Sequence, residues 1–283
     1  MIDELRAFGP LFLAVATALL IDRGIARRGL LPPGFVVAEP AGADTAWLPS
    51  SAALRRAAGI AVIALVLWIG VFLPVGLVGL AQEVDFDALS PGRLFLLHGV
   101  FVASLVVWLL LGFGPAIGRW SRQLGLRARN IPYELAVGVA GGVVGWAAVL
   151  AVLMGVGALL WALGGPELLP TEPPAMVPWL AGLPLVLRAA VSLSAGVVEE
   201  VFFRGFLQPR VGIAASSALF ALAHLSYEQP LMLLGILLLS VLFALLTRWR
   251  QSVWAAIAAH AVFDAIQLLV LIPWAMKMIG EGA

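Results

Sequence analysis

The chain has 283 residues, of which 62% are apolar and only 12% are charged, and its mean hydropathy is +1.05. Soluble domains carry about 45–50% apolar and about 25% charged residues, so this composition excludes an ordinary soluble enzyme and a disordered chain. The net charge of +1 indicates no polyanionic partner, and no nucleic acid is expected. Because the chain has no cysteine, a disulfide framework and thiolate chemistry are also excluded.

Long apolar runs predict an all-α fold, a polytopic bundle of helices that crosses a cell (plasma or inner) membrane. A membrane-spanning helix needs about 20 predominantly apolar residues. The sequence contains about eight candidate runs, so the lipid bilayer is the expected environment. Their limits are Leu5–Ile21, Ala57–Ala81, Leu94–Gly118, Glu134–Gly164, Trp179–Gln208, Val211–Tyr227, Pro230–Thr247 and Val253–Met276.

The charges between these runs predict how the bundle is oriented. Arginines gather in the first, third, fifth and seventh connections, as with Arg27 and Arg119, whereas acids such as Asp85 and Glu167 occupy the even-numbered ones. An excess of arginine marks the cytoplasmic loops of membrane proteins. With eight spans, both termini are therefore predicted to lie on the non-cytoplasmic side.

The chain divides into two parts of one membrane domain according to where its ionisable residues lie. Residues 1–178 are predicted to form N-terminal helices and loops, and residues 179–276 to carry the function. His98, near the outer end of the third run, is interpreted as an interfacial residue. An ionisable residue inside a span is a functional candidate by default. Those in the last four runs are Arg188, Glu199, Glu200, Arg204, His224, His260 and Asp264.

Two adjacent glutamates in the fifth run are predicted to have different roles. Glu200 and Arg204 are four residues apart, so on an α-helix they share a face and can form an ion pair. Glu199 is turned by about 100° around the helix and lacks that partner. Glu200 is therefore predicted to be structural, and Glu199 to act as a general base.

Helical depth predicts that these groups meet other polar residues within the membrane. At a rise of about 1.5 Å per residue, Glu199 lies about 15 Å from the cytoplasmic end of its run and His224 about 20 Å. On the same scale His260 lies about 12 Å inside and Asp264 about 18 Å, and the two share a helix face. The four groups are therefore predicted to form one layer, with an active site inside the membrane.

Three motifs occur in order on hydrophobic helices: Glu199-Glu200-x-x-x-Arg204, Phe220-x-x-x-His224 and His260-x-x-x-Asp264. Their combination over about residues 180–276 resembles the CPBP family. That family includes CAAX prenyl endopeptidases of the Rce1 type and bacterial bacteriocin-processing and immunity proteins. The resemblance implies an intramembrane endopeptidase that cleaves a membrane-associated peptide or protein, such as a prenylated or leader-type peptide.

The resemblance also implies roles for individual residues. Glu199 would activate water together with His224, and His260 with Asp264 would stabilise the oxyanion. Glu200, Arg204 and Phe220 would support the architecture. The prenyl endopeptidases have asparagine where this chain has Asp264. An ionised aspartate would repel an oxyanion, so Asp264 is either protonated or orients His260 as an acceptor, and the second interpretation is favoured.

Two alternatives stay open at the level of sequence. No cofactor is expected, but Glu199, His224, His260 and Asp264 would also suffice as zinc ligands with an open water position, giving a metal-dependent protease. The same polar layer could instead belong to a non-catalytic membrane scaffold or immunity protein, or to a proton or ion carrier. Other protease motifs are absent, since the sequence has neither His-Glu-x-x-His nor Gly-x-Ser-x-Gly.

Overall fold

The computed structural model describes residues 2–26, 52–73, 90, 92–115, 117–170, 173–174, 176–225 and 229–281. Within these ranges the secondary structure is helical and no strand occurs, which confirms the all-α prediction. The helices are α1 (Ile2–Ala26), α2 (Ala52–Leu67), α3 (Gly92–Phe113), α4 (Ile117–Gln123), α5 (Ile131–Gly164), α6 (Met176–Gly182), α7 (Leu185–Glu200), α8 (Gln208–Ala223), α9 (Pro230–Arg250), α10 (Trp254–Ala265) and α11 (Ile272–Glu281).

Several helices are long and apolar enough to cross a membrane. Five such segments occur in the described parts of the chain, which agrees with a multi-pass membrane protein. The predicted total of eight spans and the predicted side of the termini stay predictions. The five segments are Ala53–Phe72, Phe95–Phe113, Ile131–Leu168, Pro230–Arg250 and Trp254–Met278.

The fifth predicted run, Trp179–Gln208, is not one continuous helix, and that part of the prediction is wrong. Helix α6 ends at Gly182 and α7 begins at Leu185, with Pro184 between them in an extended conformation (φ −52°, ψ 144°). Proline has no N–H for the preceding turn, and it disfavours a helical conformation in the residue before it, so a break here follows from local sterics. Apolar composition alone conceals such a break.

The sixth predicted run, Val211–Tyr227, is also shorter as a helix than expected. Gly212 adopts φ 86°, which kinks α8 near its start, and the helix ends at Ala223. His224 is therefore the C-cap residue of α8 and not a residue within the helix. The end of the predicted run, residues 226–227, lies outside the described residues.

Wider π-helical turns extend α7 over Val201–Leu207 and α10 over Ile266–Leu271. Each π segment starts at most two residues after a predicted site residue, Glu200 in α7 and Asp264 in α10. Insertions of this kind inside α-helices occur often at functional sites, because they re-aim the side chains around them.

Helix α10 is held closely between α5 and α7 by glycines. A Cβ atom at Gly142 of α5 would lie 2.6 Å from the Ala259 carbonyl oxygen. A Cβ atom at Gly196 of α7 would lie 2.9 Å from the Ile257 carbonyl oxygen. The backbones can approach this closely only because glycine has no side chain. His260 is thereby brought to α7.

Aromatic packing joins the N-terminal helices to α7. Phe202, in the π segment after Glu200, packs edge-on against Phe101 of α3 with ring centroids 4.7 Å apart. Phe206, one turn further on, contacts Trp108 of α3 at 4.8 Å. These rings belong to one buried apolar cluster, which places α3 beside the helix that carries both glutamates.

Candidate active site

The adjacent glutamates have opposite surroundings. The Glu200 side chain is 0% exposed, and its Oε2 lies 3.1 Å from Arg204 Nε. Its Oε1 accepts a hydrogen bond from His260 Nδ1 at 2.8 Å. Glu199 is partly exposed, at 19% of its side chain. The predicted pairing of Glu200 with Arg204 is present, whereas the bond from His260 to Glu200 was not anticipated.

Arg204 connects three helices around this buried carboxylate. Its Nη2 donates to the carbonyl oxygen of Ser240 in α9 at 3.1 Å and to the Ser240 hydroxyl at 3.0 Å. Its guanidinium lies over the Phe220 ring of α8 at 4.4 Å. The Phe220 ring also lies 4.7 Å from the His224 imidazole. Phe220 therefore packs between the buried ion pair and the more exposed part of the site.

Glu199 faces His224, as the depth calculation predicted. The distance from Glu199 Oε2 to His224 Nε2 is 3.8 Å. His224 Nδ1 lies 2.8 Å from the Phe220 carbonyl oxygen, and because a carbonyl only accepts, Nδ1 must carry the hydrogen. In the neutral imidazole, Nε2 is then the unprotonated nitrogen, and it is directed at Glu199.

His98 lies in this site, so its interpretation as an interfacial residue is wrong. His98 Nε2 is 3.7 Å from Glu199 Oε1, and His98 Nδ1 is 3.1 Å from the Ser194 hydroxyl oxygen of α7. The signal that could have found it is depth: His98 lies 15 residues before the end of α3 at Phe113, or about 22 Å along the helix axis. That depth is close to the one calculated for His224.

His260 and Asp264 lie on the other side of the glutamate pair. His260 Nε2 is 3.5 Å from Asp264 Oδ2, so the imidazole lies between two carboxylates, those of Glu200 and Asp264. The Asp264 side chain is 25% exposed. The four predicted catalytic side chains thus form two groups, Glu199 with His224 and His260 with Asp264. The two groups are adjacent because Glu200, which binds His260, directly follows Glu199 in the sequence.

Arg188 lies on α7 about three turns before Glu199. Its Nη1 donates to the Leu268 carbonyl oxygen at 3.0 Å, within the π segment that follows α10. Arg188 therefore stabilises a backbone carbonyl in the π segment that continues α10.

The four residues predicted as zinc ligands do not fit one tetrahedral site. His260 directs Nδ1 at Glu200 and Nε2 at Asp264, so neither nitrogen is turned to Glu199 and His224. In the ranges that the structure describes, no group of three or more His, Cys, Asp or Glu side chains is arranged to hold a metal ion. No step of the chemistry below is assigned to a metal.

The fold and the site define a class of protein: a multi-pass helical membrane protein with a buried carboxylate–imidazole–guanidinium cluster. Residues 181–266 match the family model described as "Type II CAAX prenyl endopeptidase Rce1-like". The resemblance inferred from the motifs is thereby confirmed for this segment. All three motifs lie within the matched residues, whereas His98 lies outside them.

One curated relative adds to this finding. The uncharacterized protein YpbD of Bacillus subtilis (strain 168) is 30% identical to this chain over 77 residues. The matched part is 27% of this chain and 41% of YpbD, so the chain spans less than half the length of that relative. No solved structure matches the chain.

Proposed function

We propose that this protein is an intramembrane endopeptidase that hydrolyses a peptide bond in a membrane-associated peptide or protein, of the prenylated or leader type. The observation that carries the proposal is the different surroundings of the two glutamates. Glu200 is buried and paired with Arg204 and His260, whereas Glu199 is partly exposed beside His224. The family match of residues 181–266 supports a proteolytic reaction.

The separation of Glu199 and His224 suits the activation of water. A distance of 3.8 Å is too long for a direct hydrogen bond, but both atoms can reach a single water oxygen at about 2.8 Å. Glu199 Oε2 would take a proton from that water, and the resulting hydroxide would attack the scissile carbonyl carbon. His224 Nε2 would accept the second hydrogen bond of the water and so orient it.

His260 is suited to stabilise the oxyanion that follows. Its Nδ1–H donates to Glu200, and its Nε2 lies 3.5 Å from Asp264 Oδ2, which is longer than a strong hydrogen bond. A hydrogen on Nε2 can therefore be shared between Asp264 and the developing oxyanion of the substrate. Asp264 acts as a positioning residue that keeps the imidazole charged and oriented, and it does not itself contact the oxyanion.

The proposal is tested by cleavage of a peptide library with the purified full-length protein in detergent. Glu199→Ala is expected to reduce cleavage by at least about 100-fold, because the general base for water is removed. Glu167→Ala, at an exposed acid outside the site, is the matched control and is expected to cleave at the parent rate. Equal cleavage by Glu199→Ala and the parent protein would eliminate the proposal.

A membrane scaffold or immunity protein is the second candidate function. The observation that supports it is the buried network of charged side chains. Glu200, Arg204 and His260 would hold α7, α9 and α10 together whether or not a reaction occurs. A strain that lacks this protein could be complemented with the double variant Glu199→Ala, His224→Ala. Full complementation would favour the scaffold, whereas its loss with unchanged protein levels would favour the peptidase.

A further inference from the structure

We infer that His98 is a catalytic residue of this site, the acid that protonates the leaving amine. The inference rests on the proposed peptidase function. His98 belongs to α3, 83 residues before the segment that matches the family model, so no motif of residues 181–266 includes it. It nevertheless lies as close to the Glu199 carboxylate as His224 does, at 3.7 Å against 3.8 Å.

The hydrogen bonds of Ser194 determine which nitrogen of His98 can exchange protons. The Ser194 hydroxyl donates its one hydrogen to the Val191 carbonyl oxygen at 3.1 Å. Its oxygen must therefore accept from His98 Nδ1, which carries a hydrogen. Nε2 is then the nitrogen of His98 that gains and loses a proton, and it faces Glu199 Oε1.

His98 and His224 have the same arrangement of ring nitrogens, but they face different oxygens of the Glu199 carboxylate. Each imidazole donates its Nδ1–H to a fixed oxygen of the protein and turns Nε2 to Glu199. His224 faces Oε2, where the attacking water would be held, and His98 faces Oε1. The two proton transfers of amide hydrolysis, from water to Glu199 and from His98 to the amine, can therefore occur on opposite sides of one carboxylate.

The reaction balances with these groups alone. Glu199 takes a proton from water, and the hydroxide forms a bond to the carbonyl carbon of the substrate. The carbon–nitrogen bond then breaks, and the amine nitrogen takes the Nε2 proton of the His98 imidazolium. The protonated Glu199 carboxyl group then turns about its last side-chain bond and passes its proton to His98 Nε2, which restores both groups and leaves a carboxylic acid and an amine.

Exposure is consistent with such a role. The His98 side chain is 15% exposed, a fraction comparable to those of Glu199 and His224. His98 has one nitrogen bound and the other directed at the proposed base.

The test compares two substrates that differ in their need for an acid. A library peptide that the parent protein cleaves would be made as the amide and as a thioester, with sulfur in place of the scissile nitrogen. A thiol has a pKa of about 8.5, so the sulfur can leave as a thiolate without being protonated. An amine must be protonated before it can leave. His98→Gln is expected to slow amide cleavage by about 100-fold and to leave thioester cleavage near the parent rate.

Control variants separate this inference from the proposed function. Val102→Ala, at an exposed position on the same helix, is expected to cleave both substrates at the parent rate. Glu199→Ala is expected to lose both activities, and if it keeps both, the peptidase proposal itself is wrong. If Glu199→Ala loses both while His98→Gln keeps full amide cleavage, only the role of His98 is overturned.

A structural role for His98 would give a different result again. An equal loss of amide and thioester cleavage in a folded His98→Gln protein would overturn the inference. If His98→Gln does not fold, Ser194→Ala keeps the imidazole and removes only the hydroxyl that accepts from Nδ1. It is expected to show a smaller loss, again selective for the amide, and a loss equal for both substrates would contradict the inference.

Discussion

At the scale of single residues, one step along α7 separates a structural carboxylate from a chemical one. Consecutive helical residues differ by about 100° in direction, so Glu199 and Glu200 face different neighbours. Glu200 turns inward to Arg204 and His260, and Glu199 turns to the two partly exposed histidines. The chemistry proposed here depends on that difference in partners, since the side chains themselves are identical.

The buried ion pair leads to a prediction on stability. Arg204→Met would leave the fully buried Glu200 carboxylate without its guanidinium partner. Breaking a buried pair on one side typically costs about 3–5 kcal/mol, and we expect a loss of that size in the free energy of unfolding. Unfolding in mixed detergent micelles would measure it.

Two further variants control for that result. Glu199→Gln changes the neighbouring acid, which has no guanidinium partner among the described residues, and is expected to lower the stability by less than about 1 kcal/mol. The double variant Glu200→Gln, Arg204→Met removes both charges and is expected to recover part of the loss. A stability of Arg204→Met equal to that of Glu199→Gln would contradict the structural role of the pair.

The role of Asp264 leads to a kinetic prediction. Asp264→Asn keeps an oxygen acceptor for His260 Nε2 but removes the charge that favours the imidazolium. Loss of about 1.4 kcal/mol from this charge interaction corresponds to about a 10-fold fall in kcat. KM is expected to stay nearly unchanged, because Asp264 is not proposed to bind the substrate. An increase in kcat would instead indicate that residue 264 donates to the oxyanion.

At the scale of elements, the site depends on how closely three helices approach. Helix α10 carries His260 and lies against glycines of α5 and α7, where any side chain would meet its backbone. The π segments that follow Glu200 and Asp264 add a residue to a turn, and the one after α7 directs three phenylalanines into the core against α3. Close backbone contact on one side and aromatic packing on the other therefore set the position of α7.

A pair of glycine variants on α5 tests this packing. Gly142→Ala would place a methyl group 2.6 Å from the Ala259 carbonyl oxygen, so α10 must shift, and we expect a loss of about 1–3 kcal/mol in stability. Gly155→Ala lies on the same helix with no atom within 4 Å of the added carbon. It is expected to be neutral or to stabilise by up to about 1 kcal/mol through helix propensity.

The same pair should differ in activity. A shift of α10 moves His260 relative to Glu200, so Gly142→Ala is expected to cleave peptide more slowly, while Gly155→Ala retains the parent rate. Thermal unfolding and cleavage would be measured on the same preparations. If the two variants behave alike, the close contact of α5 with α10 does not control the site.

At the scale of the whole molecule, helix α3 packs against the segment that matches the family model. The match to the Rce1-like family ends at residue 266 and begins at residue 181, so it excludes α3. Yet α3 packs against the π segment after α7 and brings His98 to Glu199. The candidate site therefore extends beyond the segment that the family comparison covers.

The distribution of charge leads to a prediction on topology. Arg129 lies in an arginine-rich connection predicted to be cytoplasmic, and Glu167 in an acidic connection predicted to face the other side. Because the chain has no cysteine, each single variant, Arg129→Cys or Glu167→Cys, provides one labelling site. Both positions are exposed in the structure.

Labelling of intact cells with a membrane-impermeant maleimide would measure the orientation. Glu167→Cys is expected to react in intact cells, and Arg129→Cys only after the membrane is made permeable. The reverse pattern would show that the chain is inserted in the opposite orientation. Reaction of both variants in intact cells would contradict the span predicted between them, Glu134–Gly164.

The helical fold, the buried ion pair and the family resemblance could all be predicted from the sequence, because the signals for them are local. Runs of apolar residues predict helices, and the four-residue spacing of Glu200 and Arg204 brings their side chains together on any regular helix. The order of the motifs also indicated the family that matches residues 181–266.

The sequence could not predict which groups surround Glu199 or which carboxylate binds His260, because these contacts depend on the tertiary structure. His98 and Glu199 are 101 residues apart, and the contact depends on how α3 packs against α7, for which the sequence carries no periodic signal. The end of α8 at Ala223 likewise depends on backbone geometry that apolar composition does not encode, whereas the break at Pro184 follows from the local sterics of proline. Contacts between residues that are far apart in the sequence depend on how the helices pack, and local sequence patterns do not specify that packing.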